Sequence, residues 1–319
     1  MTSRITFGSF RAGIPIVGGG GDPDPDPTTF DHGNEVTRDN VGYLGDLEDL
    51  TPVDFITTSS TGQTFSNLLI SGGMRIRHEG ITIQNCVLLG SIGANTQTLR
   101  HNEFPYMLRV LNTTIATQDV QSKGFNSNGN GAMTYMKRVL IIGGEDNVFL
   151  KPTGGAFGTA SGDNAGYQSY FEECWFGMVM REEGTHTDVF QIDGGDGGVW
   201  LNRCNIRSFC IPNLSNPLEL PAPTEDLENS GGGGFIVTAQ GVSPLATDNV
   251  KITDSDFNGS TAYTQRTAHS GADPTNGPNI IVTGNTFGRV FGSAPMLNEG
   301  TATETGNTFL DNGDPVETA

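Results

Sequence analysis

Residues 184–195 read GTHTDVFQIDGG. His186, Asp188 and Gln191 stand at H-x-D-x-x-Q spacing, and Asp193 and Asp196 follow in the glycine turn DGGDGG. Side chains alternate along a strand. His186, Asp188, Phe190 and Ile192 are therefore expected on one face, and Thr187, Val189, Gln191 and Asp193 on the other. A histidine beside an aspartate is how a general base is oriented. A polysaccharide lyase uses such a base to take the proton next to a uronate carboxylate, and a cation to neutralise that carboxylate. Arg181 is close in sequence, and Lys137, Arg138, Lys151 and Arg207 could come from neighbouring segments. A glycoside hydrolase needs two carboxyls at a set separation; Glu182, Glu183, Asp188, Asp193 and Asp196 supply candidates. The catalytic candidates, for a lyase or a hydrolase, are thus His186, Asp188, Arg181, Asp193 and Asp196. The same polar residues can instead bond backbone at a corner of a scaffold, and the sequence favours the corner over catalysis. Trp200 and Gln191 are the candidates for touching a glycan, with Trp175 as a further aromatic.

The elements that hold this stretch are repetitive. A template apolar-x-apolar-x-polar-small-x-apolar fits ITIQNCVL (81–88), LRVLNTTI (108–115), VWLNRCNI (199–206), VKITDSDF (250–257) and IIVTGNTF (280–287). QTFSNLLI (63–70) and SYFEECWF (169–176) fit less strictly, and TETGNTF (303–309) is a degenerate last copy. The sixth positions are Leu68, Cys86, Thr113, Cys174, Cys204, Ser255 and Asn285. Two intervals are long, Thr113 to Cys174 and Cys204 to Ser255. Each is expected to hold two turns of the repeat, with 138–150 and 235–241 as the missing material. Short strands recurring every 20–30 residues mark a solenoid. The polar residue after two apolar positions marks a bend. The fold expected is all-β, a right-handed parallel β-helix. Cys86, Cys174 and Cys204 are expected to stack inside it, and a Cys204–Cys210 disulfide is left open.

Composition agrees. The 319 residues include 45 glycines, 35% hydrophobic and only 17% charged residues, with no long stretch of helical period. The net charge of −19 disfavours nucleic acid and anionic membranes as partners. The four cysteines form no CxxC pair, so a zinc site is not expected. No cofactor is expected; calcium is the one candidate ion, and no metal-ligand spacing supports it. The first residues lack a signal-peptide pattern. Residues 1–17 read as a separate docking peptide, 18–34 (GGGGDPDPDPTTFDHGN, after Val17) as a glycine and Asp-Pro spacer, and 35–319 as the body. Long loops are expected near 211–234 and 258–278.

TGQTFSNLLISGGMRIRHEGITIQNCVLLG resembles the opening coils of right-handed β-helices of the pectate-lyase-like superfamily. The rung ending in I-x-N-C, and HTDVFQIDGG followed by VWLNRCNI, are similar to minor tail or spike proteins of bacteriophages. That resemblance covers about residues 55–310. It implies a virion structural protein that projects from the particle as a homotrimer, docks on another virion protein through residues 1–17 and binds host-surface glycan. It also leaves open a depolymerase using the same coil, or a decoration protein without a ligand.

Overall fold

The computed structural model describes residues 36–94, 107–128, 134–151, 169–180, 187–193, 198–211, 233–238, 249–259, 263–267, 279–298 and 302–316. Over these the chain winds into a right-handed parallel β-helix. Sheet I has ten strands, from Thr51–Val53 to Thr308–Phe309. Sheet II has nine, from Ile56–Thr57 to Ala294–Asn298, and sheet III nine, from Thr64–Ser66 to Ala302–Thr305. Each full coil passes through sheet III, then I, then II. Ile81–Gln84, Val87–Leu88 and Ile92–Ala94 make one such coil.

The template residues explain this geometry. Apolar positions alternate inward: Ile81 and Ile83, Val199 and Leu201, Val250 and Ile252 are all essentially inaccessible. In one coil, Phe171 of sheet III, Phe176 of sheet I and Phe190 of sheet II meet edge to face, with centroids 4.9–6.0 Å apart. They fill the cross-section with one ring from each wall. The fifth template position turns the chain from sheet III into sheet I in the left-handed region. It is Asn67, Asn85, Asn112, Arg138, Glu173, Arg203, Asp254, Gly284 and Gly306 in successive coils, with φ between 46° and 69°. Asparagine and glycine reach that region most easily. In every coil but the last, the N–H of the corner residue still bonds the next coil, as Asn112 to the Lys137 carbonyl at 3.0 Å and Glu173 to the Asn202 carbonyl at 3.0 Å.

The sixth position points inward and forms a ladder, as the sequence leads one to expect. Cys86, Cys174 and Cys204 lie in it with thiols facing carbonyls, and all four cysteines are free. Val139 is the rung hidden in the Thr113–Cys174 interval, which does hold two coils. The Cys204–Ser255 interval holds only one, because Gly233–Thr238 is the sheet II strand of the coil that Val199–Asn202 begins. Toward the C-terminus the ladder becomes polar: Ser255 N–H donates to Asn285 Oδ1 at 2.9 Å, and Asn285 Nδ2 donates to the Ile252 carbonyl at 3.1 Å. Burying these groups is tolerable only because they pair. Tyr263–Thr267, inside the stretch that reads as loop at 258–278, is also a sheet II strand. Its polar alternation gives no apolar face to read. Ile211, Gly233, Gly234 and Asn258, at the edges of the two expected loops, also lie in strands; residues 212–232, 260–262 and 268–278, and residues 1–35, lie outside the described residues.

Residues 36–50 are not a coil but a strap along the outside of sheet I. Asn205 Nδ2 donates to the Val36 carbonyl (2.7 Å), Gly42 N–H to the Arg138 carbonyl (3.0 Å), and Tyr43 N–H to Thr114 Oγ1 (3.0 Å). Gly42 has φ +83°, and a Cβ there would meet Thr114 Oγ1 at 2.5 Å. Outward residues that would otherwise be wet, among them Val87, Leu140 and Trp175, are buried.

Asn285→Ala should lower stability by about 2–4 kcal/mol, since the Ser255 N–H and Ile252 carbonyl lose their partner inside the core. Thr305→Ala, at an exposed outer position, should change it by about 0.5 kcal/mol or less. Denaturant unfolding of both variants checks the ladder; equal effects would contradict it.

Candidate functional site

Of the sequence-derived candidates, Asp188 is fully buried at the start of the sheet II strand Asp188–Asp193. Phe190 and Ile192 point into the core and Gln191 is half-buried, as alternation requires, but Val189 joins the core as well. The neighbour that the described residues bring to Asp188 is Asp146, one coil earlier: the Asp188 N–H donates to Asp146 Oδ1 at 3.0 Å. Asp146 is in register with Lys123, whose Nζ bonds Asp146 Oδ2 and lies 3.3 Å from Glu145 Oε2. Burial pushes the Asp146 carboxyl up to about 6, against the pull of Lys123. Burial alone would lower Lys123, but Asp146 and Glu145 outweigh it and raise the ammonium. His186, Arg181, Glu182, Glu183 and Asp196 lie outside the described residues, as does the Asp193 side chain. Sequence reasoning missed Asp146 and Lys123, because only the coil register sets them beside Asp188.

Trp200 faces outward from sheet III between Val199 and Leu201, which face in. It belongs to a ladder. Arg109 lies over Tyr135 (5.9 Å), Tyr135 stacks on Tyr170 (5.5 Å, 18°), Tyr170 meets Trp200 (4.6 Å), and Lys251 Nζ covers Trp200 at 3.9 Å. The Trp200 Nε1–H donates to Thr253 Oγ1. Both faces of the indole therefore have protein neighbours. Gln191 is on sheet II, so the structure does not bring it together with Trp200. Trp175 is buried on sheet I.

The basic residues expected beside a lyase base serve the corner instead. Glu173, with no exposed side-chain surface, accepts from Arg138 at 3.1 Å and Arg203 at 2.5 Å; Lys137 and Arg203 also reach Glu172. Three consecutive corners that are neither asparagine nor glycine thus carry alternating charge. Burial and the Glu172 carboxylate push the Tyr135 hydroxyl well above its ordinary value, and it donates to Glu172 Oε2 at 2.8 Å. Arg207 is half-buried on sheet I, and the Lys151 side chain is outside the described residues. Among the described residues no group of three His, Cys, Asp or Glu side chains is placed to hold a metal.

An open site lies elsewhere. A cleft of about 430 Å³ sits where sheets I and II meet in the early coils, lined by Phe55, Arg75, Gly93, Thr117, Asp119 and Ser122 among others. That volume is in the range of small-ligand sites. Phe55 is 51% exposed, a rare state for a large aromatic among the described residues, and the Arg75 guanidinium lies 6.0 Å from its ring centroid. Glycines 72, 73 and 90 let the coils approach closely behind it: a Cβ on Gly73 (φ +81°) would meet the Ser91 carbonyl at 2.4 Å. Sequence reasoning passed over these residues, since SGGMRI and SIGA carry no catalytic motif.

No known protein family, curated protein or solved structure compared with the chain matches it.

The Asp146 environment predicts a pH effect. Its folded value, about 6, lies above the ordinary 3.8, so the folded state holds the proton more tightly. Its contribution to stability is complete below the ordinary value and is lost as pH rises through about 6. Asp146→Asn keeps the oxygen that accepts from Asp188 but does not titrate. The stability of the native protein relative to this variant should therefore fall between about pH 4 and pH 7. A difference independent of pH, measured by denaturant unfolding, would contradict it.

Proposed function

We propose that the protein is a virion component of a bacteriophage or phage-like particle, a spike or minor tail protein that holds a β-helix body away from the particle and binds host-surface glycan. The observation that carries this reading is the cleft around Phe55 and Arg75. An exposed aromatic, a guanidinium and small polar groups converge there on a rigid wall, the complement that saccharides use. The resemblance of the coil sequences to phage tail proteins supports the virion setting, and the composition break before residue 35 supports a tethered docking peptide. The body is proposed to assemble as a homotrimer. The strap covers the middle of sheet I, so sheets II and III are the faces left for packing around an axis.

The depolymerase alternative draws on Asp146, whose raised carboxyl beside Asp188 resembles a general acid. Both carboxyls are walled off from solvent (1% exposed or less), which is why binding takes precedence.

The full chain should bind cell-envelope glycans of its host in a pull-down. Phe55→Ala should weaken that binding about tenfold or more while the unfolding midpoint stays within a few degrees, because Phe55 is a surface residue. Binding untouched by Phe55→Ala would move the site elsewhere, and no binding to any host envelope would overturn the reading.

A further inference from the structure

Gly93 is a glycine that the fold does not explain. It sits in the middle of the sheet II strand Ile92–Ala94, paired with Arg75 on one side and Asn126 on the other. Its φ is not positive. A Cβ added there would find only the Met74 carbonyl, at 3.9 Å, which is ordinary contact. Other glycines nearby are forced: a Cβ at Gly90 would meet the Gly73 nitrogen at 2.9 Å, and one at Gly124 would meet Ile141 Cγ2 at 2.5 Å. Glycine weakens a strand interior, and its presence without a steric demand marks a place where another group comes close to the backbone. Gly93 is the floor of the cleft, between Arg75 and Asn126.

The charges around that floor are unequal. Among the described residues Arg38, Lys123, Lys137, Arg138, Arg203 and Arg289 each pair with a carboxylate. Arg75, like Arg109 and Lys251, lies against an aromatic ring and makes no ion pair among those residues, and of these three it is Arg75 that borders the cleft. The carboxylate lining the cleft, Asp119, is turned to its own loop: Oδ1 accepts from the Gln121 N–H at 3.0 Å and Oδ2 from the Ser122 hydroxyl at 2.7 Å. A guanidinium without a carboxylate partner, at the edge of a flat floor with an aromatic wall, suits a planar anion attached to a ring.

We propose that this cleft is a subsite for a sugar residue bearing a carboxylate or phosphate. The ring would lie over Gly93 against Phe55, and the anion would meet Arg75. The inference rests on the glycan-binding reading above and names the ligand class for the same site. The net charge of −19 opposes an anion at long range, so the local contact with Arg75 carries the selectivity.

The test is calorimetric titration of the full chain with three tetrasaccharides of equal length: one containing glucuronate, one containing a sugar phosphate, one neutral. An anionic probe should bind at least about tenfold more tightly than the neutral one, and whichever of the two does so identifies the anion. Arg75→Gln should remove that preference, bringing the anionic probe down to the affinity of the neutral one. Gly93→Val should hold or raise the unfolding midpoint, since valine suits a strand, and should weaken every probe more than tenfold. Gly93→Ala, with one methyl group, should do so more mildly and serves if the valine variant does not fold. Equal binding of neutral and anionic probes, with no effect of Arg75→Gln, would overturn the anionic subsite while host-envelope binding could still stand. Gly93→Val binding like the native protein would overturn the role of the floor. Failure of all three probes, alongside retained envelope binding, would overturn the proposal and not the general reading.

Discussion

Each coil of this protein must turn from sheet III into sheet I through one left-handed residue while, in every coil but the last, that residue's N–H still bonds the next coil. Everything else is arranged around that corner. Asparagine and glycine take it at little cost in five of the nine coils, and Asp254 takes it in a sixth. At Arg138 and Arg203, flanking Glu173, ordinary side chains are forced into the same conformation, and the buried carboxylate between two guanidiniums compensates. The residue after each corner is thereby aimed inward, which is why a leucine, cysteine, threonine, valine, serine or asparagine stands there and why the polar atoms among them must pair along the axis.

A body built of repeated cross-sections has its interior fully committed to packing, so recognition falls to outward rows and corners. The structure divides these surfaces. Residues 36–50 cover the middle of sheet I. On sheet III the outward aromatics stack on one another, with Arg109 and Lys251 at the ends of the row. Such a ladder stiffens the wall, but its ring faces have partners already. The early-coil corner of sheets I and II is different, because an aromatic ring, a guanidinium and a bare strand backbone remain open there.

Much of the fold was legible in the sequence because the corner and its inward neighbour are local features. I-x-N-C at 83–86 shows both at once, and the burial of Cys86, Cys174 and Cys204 follows from their shared position. The coil 134–151 was harder to see, since Arg138 occupies a corner that usually announces itself as asparagine. The candidate site was less legible for a different reason. Motif reading looks along the chain, whereas Phe55, Arg75, Gly93 and Asp119 belong to successive coils and meet only through register. Gly93 becomes informative once its neighbours are known not to require it. Asp188 illustrates the converse: it stood out by its spacing to His186, yet the partner found for it, Asp146, is 42 residues away.

The most direct measurement is hydrogen–deuterium exchange of the full chain with and without a host-envelope glycan fragment. Added protection should fall on the strands and turns that carry Phe55, Arg75, Gly93 and Asp119, with the interior ladder already slow and unchanged. Protection centred on Tyr135, Tyr170 and Trp200, or on the strand that begins at Asp188, would contradict the placement of recognition at the early-coil cleft.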